Sequence, residues 1–144
     1  MRMAFCSVVA ILLIGCNRTP PPPGMAFSPG SYLSPTGQYK LVVDVLADGV
    51  IQYEVKDTAA DQTQFSDGGF SKYQRWFFYW SPGDELWVYS SDDGTFAVWS
   101  KNADGSWTRQ NVKDTPQYRE AMPQPVVDYL PDSLKKMWDV AKPT

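Results

Sequence analysis

Any chemistry in this chain must come from carboxylates, hydroxyls and aromatic rings, because it has no histidine and its two cysteines both lie near the N-terminus. Without histidine the commonest general base and the commonest transition-metal ligand are missing. Two carboxylate pairs offer acid–base geometry, Asp84 with Glu85 and Asp44 with Glu54. Neither comes with an identifiable nucleophile, and carboxylates on the polar face of a hairpin are ordinarily solvated. Ser90-Ser91-Asp92-Asp93-Gly94 gathers hydroxyls and carboxylates, yet lacks the alternating ligands and distal Glu of a calcium loop. Turn chemistry accounts for each of those residues. The sequence has neither a Gly-rich phosphate loop nor a hydrolase serine motif. The expectation is a protein that is not an enzyme, with no catalytic residue, no metal site and no cofactor.

The aromatic residues are the other candidate. Eleven of the residues from 73 to 107 are aromatic, among them five of the six tryptophans. Trp76, Phe78, Trp87, Tyr89 and Trp99 would form a ligand surface if they shared an open sheet face, since indole faces stack on sugar rings. The competing reading is that they are core. β-Strands favour aromatics, and a small domain without disulfides needs large buried side chains. The core reading is preferred, and it leads to the expectation that Trp87 and Trp99 are mostly buried.

Composition frames both readings. The 144 residues suffice for one domain, and 43% apolar content with 20% charged is that of a globular protein. The net charge is −3, with no run of Lys or Arg, which argues against nucleic acid as a partner.

Cysteine placement is more informative. Cys6 lies inside an apolar run from Ala4 to Ile14, broken only by Ser7, and Cys16 follows it; Arg2 precedes it. A charged start and an apolar run too short to span a bilayer describe a secretory signal. Leu13-Ile14-Gly15-Cys16 resembles the bacterial lipobox, and the resemblance covers residues 1–16. It implies cleavage before Cys16 and lipidation of the Cys16 thiol, hence attachment to a membrane in the cell envelope. Asn17 after that cysteine resembles outer-membrane sorting, facing the periplasm, in a cell with two membranes. Several acyl chains hold a bilayer stably where one does not. Arg2 would leave with the signal, so 12 basic residues would face 16 acidic ones. Cys6 would leave too, and with it any disulfide.

Residues 1–15 are therefore expected to be a signal peptide and residues 16–35 a lipidated cysteine with a Pro-rich tether. Four prolines, Pro20 to Pro23, favour an extended spacer. The folded domain is expected over residues 36–142.

The body reads as hairpins. Ala47-Asp48-Gly49 separates two alternating runs, 39–46 and 50–56. Pairing Leu46 with Val50 puts Leu41, Val43, Val45, Ile51, Tyr53 and Val55 on one face. Lys40, Asp44, Gln52, Glu54 and Lys56 fall on the other, with Val42 their only apolar companion. Further turns at Pro82-Gly83, Asp92-Asp93-Gly94 and Ala103-Asp104-Gly105 mark strands near 72–80, 85–90, 95–100 and 106–111. Residues 57–69 read as a loop. Setting Trp80 opposite Glu85 and Ser91 opposite Thr95 lines up Phe77, Val88 and Val98 on one face. Phe78, Trp87 and Trp99 line up on the other, with Trp76 beside Tyr89. A helix from Asp132, with Leu134, Met137, Trp138 and Ala141 on one side, is expected to cover the first of these faces. A short helical turn over 125–130 precedes it. The first hairpin is expected to curl over the other face. The expected fold is α+β: an antiparallel meander of about six strands, sandwich-like or a partly closed barrel, with a C-terminal helix.

Three functional expectations follow: a non-catalytic, membrane-anchored interaction or structural module meeting an envelope protein; a glycan-binding module using the Trp-rich face; and, last, a small carboxylate-dependent hydrolase.

Overall fold

Asp-Gly turns set the local structure. The computed structural model describes residues 20–138, so the leader, Cys16 and the expected helix position Ala141 lie outside the described residues. Strands β3 (Tyr39–Val45) and β4 (Val50–Asp57) pair antiparallel, with Val45 opposite Ile51, Val43 opposite Tyr53 and Leu41 opposite Val55. This is the expected register. Gly49 closes the turn at φ +85°, its amide donating to the Leu46 carbonyl, and the Asp48 carboxylate accepts from the Val50 amide. A left-handed residue is needed at that position, and glycine takes it without strain. The same aspartate contact, to the amide two residues on, recurs at Asp93 with Thr95 and Asp104 with Ser106.

The remaining strands are β1 (Met25–Ala26), β2 (Gly30–Leu33), β5 (Thr63–Ser71), β6 (Trp76–Trp80), β7 (Leu86–Ser90), β8 (Phe96–Lys101) and β9 (Trp107–Asn111). They form two antiparallel sheets, ordered β2-β3-β4-β5 and β1-β6-β7-β8-β9. The fold is an α+β sandwich, as the sequence leads one to expect, with nine strands among the described residues where about six were foreseen. Two of the additions come from the stretch assigned to the tether. Met25 and Ala26 are buried and pair with Tyr79 and Phe78, and Gly30 to Leu33 pair with Val43 to Lys40. The chain crosses from one sheet to the other through Phe27, Ser28 and Pro29. The third addition is β5, in the polar segment read as a loop. Its Gly68-Gly69 bulge and its place at a sheet edge hide the alternation.

The inner faces of the two sheets make the main core. Leu41, Val43, Ile51, Tyr53, Val55 and Phe70 meet Trp76, Phe78, Trp80, Leu86 and Val88. Each such side chain, fully buried, contributes roughly 1.5–3 kcal/mol. That outweighs the surface pairs of the wet face, such as Lys56 with Glu54 at 3.4 Å and Lys40 with Asp61 at 3.6 Å, which contribute about 0–1 kcal/mol each.

Register in the second sheet differs from the expectation by one residue. Trp80 pairs with Leu86, Phe78 with Val88, and Tyr89 with Phe96. Trp87 therefore does not join Phe78 and Trp99. It lies on the outer face with Phe77, Tyr79, Tyr89, Phe96 and Val98, while Val88 belongs to the inner face. A 3-10 turn over Val112–Asp114 and three short helices, α1 (Pro116–Glu120), α2 (Gln124–Tyr129) and α3 (Asp132–Met137), cover that outer face. Val126 and Leu130 are buried against it, and Trp138 stacks on Phe96 with ring centroids 5.4 Å apart. Met137, expected on the buried side of the last helix, is 70% exposed. Leu134 and Trp138, four residues apart, are the positions of this segment that pack on the outer face.

Candidate functional site

The five aromatics singled out from the sequence do not form one surface. Trp76, Phe78 and Trp99 face the other sheet, whereas Trp87 and Tyr89 lie beneath the helices. Four are buried, and Trp99 is half-buried and stacked on Phe65 at 4.0 Å. Of the carboxylate pairs, Asp44 is exposed and stands opposite Gln52, not Glu54, and the other three members are engaged. Glu54 accepts from Thr63 and sits beside Lys56, Asp84 accepts from the Thr36 hydroxyl and amide, and Glu85 meets Ser81. In the Ser90–Gly94 segment, Asp92 accepts from the Ser71 amide at 2.7 Å and Asp93 from Thr95. Among the described residues there is no group of three potential metal ligands.

Two clefts carry polar groups. The first lies on the seam between the free sheet edges β5 and β9. Bulging at Gly68 turns this edge strand, and a Cβ there would stand 2.5 Å from the Ile51 carbonyl oxygen, so only glycine fits. Asp67 beside it accepts from the Tyr53 hydroxyl at 3.2 Å and pairs with Arg109 Nε at 3.3 Å. Trp99 Nε1 donates to the same Tyr53 oxygen at 3.0 Å. Burial first, and then the Asp67 charge, push the Tyr53 pKa far above its ordinary value. Its proton stays in place, donated to Asp67. A cavity of about 340 Å³ opens beside this network, walled also by Asp93 and Thr95. Every charged group facing it is already paired or hydrogen-bonded. The arrangement is a latch that closes the sandwich where no backbone ladder does, and an inward charge on an edge strand also discourages pairing with another chain.

The second cleft differs. It occupies about 500 Å³ at the end of the sandwich where the β3–β4 turn, the segment from Lys72 to Arg75 and the sheet crossing at Pro29 converge. Phe27, Val45 and Trp76 form its apolar wall, and Lys72 and Arg75 rim it. Both cations are exposed and neither has a carboxylate partner among the described residues. Leu46 is 47% exposed and Tyr73 80% exposed at the same end. Sequence reasoning passed over this site because its residues come from three separated stretches, none with a motif. A third hollow, of about 320 Å³, lies between Phe96, Leu134 and Trp138 and is mainly apolar.

Comparison with protein-family models, with curated proteins and with solved structures finds no match.

Proposed function

We propose that this chain is a lipid-anchored protein of the bacterial envelope whose β-sandwich is a non-catalytic interaction module. The observation that carries the reading is Leu13-Ile14-Gly15-Cys16 behind a short apolar run with a basic start. The organisation downstream supports it. The four prolines lead directly into Gly24, whose carbonyl accepts from the Trp80 amide at 2.9 Å, so the spacer ends where the sandwich begins. The glycan reading loses the aromatic platform it needed, because those rings are core. The hydrolase reading is less well supported, since Glu54, Asp84 and Glu85 make turn and surface contacts and Asp44 stands opposite Gln52.

Intact mass of the protein extracted from membranes tests the proposal. It should show loss of residues 1–15 and added acyl mass on Cys16, and Cys16→Ser should abolish both. A mature form with another N-terminus, or without lipid, would overturn the reading.

A further inference from the structure

The end cleft is rimmed by two cations with no carboxylate partner among the described residues, Arg75 and Lys72, the latter with its ammonium over the Tyr73 ring at 4.9 Å. In a chain with more acidic than basic residues, both charged groups on its lining are cations. Of the carboxylates at this end, Asp48 accepts from Val50 and Asp93 from Thr95 within their own turns, Asp92 accepts from the Ser71 amide across the end of the sandwich, and exposed Asp44 adjoins Val45 without lining the cleft. Arg75 is anchored by its backbone, its amide donating to the Ser91 hydroxyl and its carbonyl accepting from the Ser91 amide. Arg75 therefore lines the cleft from a fixed backbone, together with Phe27, Val45 and Trp76. A volume of about 500 Å³ falls within the range of sites that hold a ligand or a few side chains. Apolar depth with a cationic rim is complementary to a segment carrying an aliphatic or aromatic anchor flanked by carboxylates.

We infer that this cleft docks an acidic peptide segment of a partner protein, with an apolar side chain seated against Trp76 and carboxylates on Arg75 and Lys72. The inference rests on the interaction-module reading and names its surface. Guanidinium–carboxylate contacts set orientation, since the fork of Arg75 can hold a carboxylate through two hydrogen bonds.

The test uses the full-length protein in detergent micelles, ¹⁵N-labelled at the tryptophan indoles, with Trp76 assigned from a Trp76→Phe variant. The probe is acetyl-Glu-Glu-Leu-Glu-Glu-amide, alongside analogues with Lys or Gln in place of Glu. The acidic peptide should shift the Trp76 indole resonance saturably, and the Lys analogue should not. Arg75→Gln and Lys72→Gln should each weaken binding, by roughly tenfold for Arg75, with urea melts unchanged because both side chains are exposed. No saturable shift at Trp76, equal response to the Lys analogue, or undiminished affinity in Arg75→Gln would overturn the inference. The mass measurement on Cys16 separates the two proposals. Lipid without peptide binding leaves the envelope reading and removes this surface, whereas peptide binding without lipid does the reverse.

Discussion

Tyr53 is where one hydroxyl ties the two sheets together. Its oxygen accepts from Trp99 of one sheet, and its proton goes to Asp67 of the other, which Arg109 neutralises. Tyr53→Phe keeps the ring against Phe78 (centroids 4.8 Å) but leaves the Trp99 Nε1 without its acceptor. The expected cost is about 1–3 kcal/mol at neutral pH, the penalty of an unsatisfied polar group. At pH 7 the phenol is protonated both folded and unfolded, so the cost there is one of hydrogen bonding. Above about pH 10 the unfolded tyrosine ionises while the buried one keeps its proton. A raised native pKa thus contributes stability that is complete below pH 10 and lost as pH rises further. Each pH unit beyond that point should remove up to about 1.4 kcal/mol for this group. Burial raises Tyr79 and Tyr89 in the same direction, so the comparison must be between the parent and Tyr53→Phe. Urea melts from pH 9 to 11 should show a steeper decline in the parent, and parallel declines would show that this hydroxyl is not held neutral. None of the seam could be read from the sequence. Tyr53 was legible as an inward residue of a clean hairpin, but Asp67 sat in a stretch too polar and too glycine-rich to look like a strand.

Elements differ in how much of them the sequence discloses, and the differences have physical causes. β3 and β4 have one dry and one wet face, so a one-residue slip would bury charge, and the register follows from the pattern alone. β6, β7 and β8 are apolar on both faces because one packs on the other sheet and one on the helices. Alternation then carries no information, and a slip of one residue looks equally good on paper. It moved Trp87 to the wrong side of the sheet. β1 and β2 were invisible for another reason. Their residues are punctuated by Ser28-Pro29-Gly30 and lie next to a proline spacer, and strands of two and four residues have no room for periodicity. A chain starting at Thr36 would lack both strands, strip β3 of one of its two ladder partners and uncover the Phe78 and Tyr79 backbone. The lost burial of Met25 and Ala26 and the lost pairing together rival the 5–15 kcal/mol by which a domain is usually stable. We expect residues 36–144 to give no cooperative melt and to bind a hydrophobic dye, whereas residues 17–144 melt in one transition. Equal melting of the two would mean that β1 and β2 are dispensable trimmings.

For the whole molecule, the strands define two ends, and they should stand at different heights above a membrane. The spacer enters at the end where Gly24 meets Trp80, beside the turns at Ser81–Glu85 and Asn102–Ser106. The other end carries the β3–β4 turn, Tyr73 and the cationic cleft. The seven residues of β3 separate these ends by roughly 20–23 Å. Eight residues from Cys16 to Gly24 reach at most about 28 Å, so the proposed anchor would hold the entry end within that distance of a bilayer, and an upright sandwich would carry the cleft on its far side. The proposed anchor and the proposed docking surface then lie at opposite ends of one sandwich, the arrangement a tethered interaction module requires. Cysteine scarcity makes this directly measurable. After the proposed cleavage the remaining cysteine would be Cys16, which lipid would occupy, so a cysteine introduced elsewhere would take a label alone. Tyr73→Cys and Asp104→Cys place that label on exposed positions at the far and near ends respectively. With the lipidated protein in vesicles bearing a headgroup quencher, the label at position 104 should be quenched strongly and the label at position 73 weakly. Removing two of the four prolines should raise quenching at 104 more than at 73, because the entry end moves first. Equal quenching at both positions would mean that the sandwich lies on its side. Stronger quenching at 73 would place the cleft against the bilayer, where an acidic segment of a soluble partner could not reach it.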